Sequence, residues 1–169
     1  MIYVCSKSRV AETVASAGAA RLVTLLNKGT PFERPAAIEQ PNHLFLSMND
    51  ILDEEEGMIA PGQDHVETLL AFVRGWDRAR PLVINCFAGI SRSTAAAYVT
   101  AAALAPHRDE RELALALRRL SPSATPNARI VRHADAVLGR SGRMVAAIEA
   151  IGRGADAYEG TPFALAIDG

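Results

Sequence analysis

The first half of the chain carries short apolar runs, and the second half carries apolar residues at helical spacing. Four runs predict β-strands, at residues 2–5, 21–26, 43–48 and 82–86. A segment of small residues, 8–17, lies between the first two runs, ends at Gly18 and predicts a short helix. This strand–helix–strand order is typical of a βαβ unit and favours a parallel sheet.

Helical periodicity follows Pro61, Asp109, Pro126 and Ser141, and an alanine-rich segment begins at Arg92. Together these segments predict an α/β domain: a central, mostly parallel sheet of four to five strands flanked by about six helices. The connections 27–42 and 51–60 are rich in Pro, Gly and Glu. We expect a single domain over residues 1–154, followed by a tail, 155–169, without clear periodicity.

Composition narrows the class of protein. The 169 residues are 49% hydrophobic and carry a net charge of −1, which argues against binding to nucleic acid or to anionic lipid by bulk charge. The most apolar stretch, 94–105, is too short to span a bilayer, and two cysteines cannot build a disulfide framework. We therefore expect a soluble, cytoplasmic protein. Its excess of Arg and Ala is typical of a GC-rich bacterial genome.

The segment 82–94 carries the strongest chemical signal. A buried strand leads into Cys86, a loop follows, and Arg92 opens a helix. Such a turn points backbone N–H groups into one concavity, which suits a tetrahedral anion, and a guanidinium matches two phosphate oxygens. We predict that this loop binds phosphate through Phe87, Ala88, Gly89, Ile90, Ser91 and Arg92. Cys86, held there as a thiolate, would attack phosphorus, and Ser93 would hydrogen-bond the sulfur.

Cys86, five intervening residues, Arg92 and Ser93 resemble the signature loop of the cysteine-dependent protein tyrosine phosphatases, in the form of the compact dual-specificity and bacterial members. The resemblance implies a general acid upstream, and Asp50 in the Asn-Asp pair after the third strand fits that place. It also implies that Asn127, in the Pro-Asn element of segment 121–129, braces the loop. The family usually has His before the nucleophile, whereas this chain has Asn85. We expect Asn85 to support the loop less well, giving a slower enzyme or a shifted pH optimum.

Other interpretations of these residues stay open. Cys86 could be a buried core cysteine, and Asp50 could serve a turn, with Asp53 and the run 54–56 as alternative acids or a solvated face. Cys5 is predicted to lie in the core, with a disulfide to Cys86 under oxidation as an alternative. The four histidines have no metal-ligand spacing, so we expect no metal and no cofactor.

The leading hypothesis is a phosphomonoester hydrolase that forms a cysteinyl-phosphate. The loop residues between Cys86 and Arg92 carry no cation, which favours phosphotyrosine or another singly phosphorylated substrate. The partner would be a phosphorylated protein or a small phosphoester. Two alternatives are a non-catalytic phosphate-binding module of the same fold and a rhodanese-like sulfurtransferase, which also uses a Cys loop between strand and helix.

Overall fold

A five-stranded sheet, with six helices distributed unequally over its two faces, forms the framework of the protein. The computed structural model describes residues 1–169. The strands are β1 (Ile2–Ser6), β2 (Arg21–Leu26), β3 (His43–Ser47), β4 (Leu82–Cys86) and β5 (Phe163–Leu165). The helices are α1 (Val10–Ala17), α2 (Gln63–Arg74), α3 (Arg92–Leu104), α4 (Glu110–Leu120), α5 (Ala128–Val137) and α6 (Arg143–Ile151). The predicted fold class is confirmed.

The strand order is β3-β2-β4-β1-β5, with four parallel strands and β5 antiparallel to β1. The fourth strand in sequence, β4, lies at the centre and pairs with β1 on one side and β2 on the other. Central parallel strands are buried on both faces, and every residue of β4 is buried accordingly. The end of β4 is therefore held rigidly, and Cys86 is its last residue.

The two faces of the sheet are covered differently. The larger core, of 34 buried residues, lies between the sheet and helices α2 to α6. The smaller core, of seven residues, lies beneath α1 and includes Cys5, Leu22 and Val83. Helix α3 runs through the middle of the larger core, and its alanines let the neighbouring helices approach closely. None of the helices combines the length and the apolar character that crossing a membrane requires.

The segment after α6 completes the sheet. We call residues 152–165 the strap: it leaves α6, passes over the loop that follows β4, and pairs β5 with β1. Arg118 holds its beginning by donating to the carbonyls of Ile151 and Gly152 at 2.7 and 2.6 Å. The sequence shows no periodicity here because a three-residue edge strand is too short to display one.

Candidate active site

Cys86 lies at the base of the loop 87–92, with its side chain almost fully buried. Its Sγ is 3.0 Å from the Ser93 hydroxyl, and the N–H of Gly89 donates to Sγ at 3.3 Å. Both groups can donate to a negatively charged sulfur, whose charge they would stabilise. The structure thus places Ser93 where the sequence predicts it, against the sulfur.

Gly89 makes the tight turn of the loop possible. Its φ is +72°, and a Cβ at this position would lie 2.8 Å from the Cys5 carbonyl carbon and from the Ser6 nitrogen of β1. Only glycine combines a left-handed backbone with so close an approach at low cost. The loop is therefore folded tightly against the neighbouring strand.

The carbonyl groups of the loop face outward. Four of them, and the carbonyl of Cys86 just before the loop, accept hydrogen bonds of 2.8–3.3 Å from groups outside the loop: Cys86 from the Asn85 amide, Phe87 from Lys7 N, Ala88 from Gly160 N, Ile90 from Thr125 N and Ser91 from Asn127 N. In a trans peptide the carbonyl and the following N–H point in opposite directions, and the chain has no cis peptide. The N–H groups of residues 87, 88, 89, 91 and 92 are thus directed inward, as a nest for an anion requires.

Arg92 places a fixed positive charge beside the loop. It is 6% exposed, and its Nη1 donates to Asn27 Oδ1 and to the Met48 carbonyl, both at 2.7 Å. Its Nε is buried and bonds to no protein group, so the Nε/Nη2 edge of the guanidinium can donate to two oxygens of one anion. The partners of Nη1 are neutral, so they hold the guanidinium without cancelling its charge.

Asp50 lies at the rim of the loop, three residues beyond β3. Its Oδ1 accepts from the Ser91 hydroxyl at 2.7 Å and from Asn127 Nδ2 at 2.8 Å. Both bonds end on the same oxygen, so Oδ2 is left without a hydrogen-bond partner. Asp50 and the alternative acids Asp53 and Glu54–Glu56 are all exposed, but of these carboxylates only Asp50 hydrogen-bonds to the loop, and Glu54 faces Arg129 at 3.4 Å.

Asn127 joins Asp50, the loop and helix α5. Its Oδ1 caps α5 by accepting from the N–H groups of Arg129 and Ile130, both at 3.0 Å. Its Nδ2 holds Asp50, and its backbone N–H holds the Ser91 carbonyl at 3.2 Å. The bracing role predicted for Asn127 thus has a matching geometry.

Asn85, which precedes Cys86, donates from Nδ2 to the Cys86 carbonyl at 3.3 Å. Its Oδ1 accepts from the Thr24 hydroxyl at 2.8 Å, and Thr24 Oγ1 lies 2.9 Å from His43 Nε2. Burial, and secondarily the charge of Arg34, lower the pKa of His43 to about 4, so its ring is neutral near pH 7. Asn85 is therefore a satisfied member of a polar row rather than an unsupported substitute.

Cys5 and Cys86 are both free thiols on adjacent strands. Cys5 pairs in register with Asn85 and faces the smaller core, whereas Cys86 belongs to the larger one. Successive side chains of a strand point to opposite faces, so the two thiols point apart and a disulfide would need backbone movement. Burial raises the pKa of Cys5 to about 11, which fits an unreactive core residue.

Several contributors to this site were not predicted from the sequence: Asn27, Thr24, His43 and Gly160. A signal for Asn27 exists, because it follows β2, and the carboxyl ends of parallel strands meet at one edge of a sheet. Thr24, His43 and Gly160 act through pairings that only the folded register creates. No cluster of three His, Cys, Asp or Glu side chains is arranged to hold a metal.

The fold is shared with solved phosphatase structures. The chain is similar to the human tyrosine phosphatase-like serine/threonine/tyrosine-interacting protein, with TM-score 0.65, 15% identity, and coverage of 83% of this chain and 92% of that one. For DUSP15 the TM-score is 0.64 at 16% identity, covering 88% and 90%. For the PTP-2 phosphatase of Cydia pomonella it is 0.62 at 17% identity, covering 80% and 84%.

No protein-family model and no curated protein sequence matches the chain. At these identities the structural neighbours establish the architecture: the chain has the fold of the cysteine-dependent tyrosine and dual-specificity phosphatases. The resemblance stated for the signature loop is thereby confirmed at the level of the fold.

Proposed function

We propose that this chain is a phosphomonoester hydrolase of the protein tyrosine phosphatase type, acting through a cysteinyl-phosphate. The observation that carries the proposal is the loop geometry: outward carbonyls, inward N–H groups, Sγ of Cys86 at the base and the free Nε/Nη2 edge of Arg92. A tetrahedral dianion is the ligand that such a nest and a guanidinium fork bind together. Phosphate bound there would lie in contact with a sulfur nucleophile.

The first step transfers the phosphoryl group to Cys86. The Sγ lone pair forms the S–P bond in line with the breaking bond between phosphorus and the leaving oxygen. Asp50, protonated on Oδ2, gives its proton to that oxygen, so the alcohol or phenol leaves neutral. The N–H groups of the loop and Arg92 stabilise the charge on the equatorial oxygens, which replaces any need for a cofactor.

The second step releases phosphate. A water molecule attacks phosphorus and gives a proton to the Asp50 carboxylate, while the S–P bond breaks and its electron pair returns to sulfur. Ser93, 3.0 Å from Sγ, can donate a hydrogen bond to the departing thiolate and so make the sulfur a better leaving group. Asp50 is then protonated again, and the cycle closes.

The loop itself favours substrates with one phosphate. Phe87, Ala88, Gly89, Ile90 and Ser91 bring no side-chain cation to the anion, and Arg92 is the buried cation there. A second phosphate group would find no matched positive charge on this loop. We therefore propose phosphotyrosine, or another singly phosphorylated protein or small-molecule group, as the substrate class.

The decisive experiment compares Cys86→Ala with Cys5→Ala, the same change at the two buried thiols. Phosphate release from a phosphotyrosine peptide, measured with reductant and without added metal, should vanish in the first variant and persist in the second. Vanadate, a phosphate analogue, should inhibit the wild type. A folded wild type that binds vanadate but releases no phosphate from tyrosine, serine or threonine peptides would be a binding module. Sulfur transfer from thiosulfate to cyanide would indicate the rhodanese-like alternative.

The acid is tested by Asp50→Asn, with Asp53→Asn as the control on the same connection. We expect Asp50→Asn to lower kcat by about 10²-fold or more on a phosphotyrosine peptide. The loss in kcat/KM, which reports the transfer of the phosphoryl group to Cys86 and not the later hydrolysis, should be smaller on p-nitrophenyl phosphate, whose phenolate needs little protonation to leave. Equal losses of kcat/KM for the two substrates, or a comparable loss in Asp53→Asn, would exclude Asp50 as the general acid.

A further inference from the structure

A polar row crosses three strands of the sheet beneath the nucleophile. Thr24 and Asn85 are fully buried, are partners in the register of β2 with β4, and lie on the face covered by α1. His43 is on β3, one diagonal step from Thr24, and its ring packs with Phe32 and Phe45. Polar groups buried in an apolar core are costly unless every one is satisfied, and these are all hydrogen-bonded.

The directions of these bonds follow from counting protons. The Asn85 amide nitrogen donates to the Cys86 carbonyl, so its Oδ1 is the acceptor of the Thr24 hydroxyl. A hydroxyl has one hydrogen, so Thr24 must in turn accept from His43, whose Nε2 carries the hydrogen. All three bonds therefore run the same way, from His43 to the Cys86 carbonyl, and bonds aligned in this way strengthen one another.

We propose that His43 and Thr24 are positioning residues for the nucleophile, acting through Asn85 as a relay that fixes the Cys86–Phe87 peptide. Holding the Cys86 carbonyl toward Asn85 turns the Phe87 N–H the opposite way, which is the direction that the anion nest requires. The same anchor fixes the backbone from which Sγ projects toward Ser93 and Gly89. This inference rests on the proposed function for its consequence in catalysis, but the reactivity of the Cys86 thiol can be measured independently of turnover.

The test compares Thr24→Val, which removes the hydroxyl at nearly constant volume, with Thr24→Ser, which keeps it. The readouts are kcat on p-nitrophenyl phosphate and the rate of Cys86 alkylation by iodoacetamide at fixed pH, followed by peptide mass spectrometry. Thr24→Val should slow both by about threefold to tenfold, the worth of one neutral hydrogen bond, and Thr24→Ser should stay within about twofold of wild type.

Thr100→Val is the matched control, because Thr100 is equally buried and its hydroxyl has no hydrogen-bond partner. It should leave both rates unchanged. A folded Thr24→Val protein with wild-type rates, or with reduced stability alone, would overturn the relay. If Thr24→Val fails to fold, the proposal is tested with His43→Phe instead. This variant keeps an aromatic ring beside Phe32 and removes the hydrogen-bond donor to Thr24. Wild-type rates of alkylation and turnover in His43→Phe would likewise overturn the proposal.

The two proposals fail separately. A wild type without phosphatase turnover refutes the proposed function, while the alkylation rates of the Thr24 variants still report on the relay. Conversely, if the wild type is active and the Thr24 and His43 variants keep wild-type rates of alkylation and turnover, the proposed function stands and the relay is refuted.

Discussion

Replacing Gly89 with alanine should damage stability and chemistry together. The left-handed backbone costs an alanine about 1–2 kcal/mol. The added Cβ would also lie 2.8 Å from backbone atoms of Cys5 and Ser6, which cannot rotate away as a side chain could. Overpacking of this kind costs about 1–3 kcal/mol, so the sum is about 2–5 kcal/mol. That is a large fraction of the stability of an ordinary domain.

Gly139→Ala separates the two contributions. Gly139 has φ +65°, and a Cβ there would meet nothing within 4 Å, so only the backbone cost applies. Any gain from a less flexible unfolded chain is common to both variants and cancels in the comparison. The difference between them, about 1–3 kcal/mol, therefore measures the collision with β1.

The assay measures the free energy of urea unfolding of both variants, with one m-value used for both. The kcat and the affinity for vanadate are measured alongside. In Gly89→Ala the loop 87–92 must move away from β1 by about half an ångström, and we expect kcat of this variant to fall between tenfold and a hundredfold. Gly139→Ala should keep wild-type kcat. Equal stability losses for the two alanine variants, with normal turnover in Gly89→Ala, would refute the reasoning that close approach to β1 shapes the loop.

Three further predictions follow from the same geometry. Arg92→Lys should lower kcat by about 10²-fold or more while the protein stays folded, because an ammonium cannot offer a planar fork; wild-type turnover would contradict this. The pKa of His43 is lowered to about 4 in the folded protein against 6.5 in the unfolded chain, so the unfolded state binds the proton first. Stability therefore falls as the pH drops from 7 to 4, by about 1–2 kcal/mol because solvent screens the half-buried ring, and urea unfolding of His43→Gln should show a smaller loss. Gly160→Ala would place a Cβ 2.7 Å from the Gly89 carbonyl oxygen, and should lower kcat and vanadate affinity together; unchanged values would show that the strap does not support the loop.

Much of the framework could be predicted because its signals are local. The four parallel strands and the helix that Asp109 caps follow from apolar periodicity and one capping side chain, and the structure places them within a residue or two of the predicted bounds. Cys86, Arg92 and Ser93 lie within eight consecutive residues, so their spacing alone predicts one loop. Asp50 and Asn127 were placed by resemblance, and the structure brings both against Ser91.

The remainder depends on register, which no local pattern encodes. By sequence, Thr24 is an ordinary strand threonine and His43 an ordinary strand histidine. Thr24 contacts both Asn85 and His43 only because β2 lies between β3 and β4. The prediction that Asn85 would support the loop less well considered that residue alone. Its actual contribution depends on two neighbours that are distant in sequence, and the relay experiment measures it.

The strap also has a consequence for how the chain folds during synthesis. Strand β5 pairs Leu165 with Ile2, and Gly160 holds the Ala88 carbonyl, so contacts at the loop join segments made early to segments made late. On the ribosome, residues 1–151 can collapse while the outer edge of β1 and the Ala88 carbonyl still lack their partners. An unpaired strand edge invites association with other chains, and contacts of such long sequence separation form slowly. The nascent chain is therefore most exposed to misassembly, and the loop 87–92 lacks one of its supports, until residue 165 emerges.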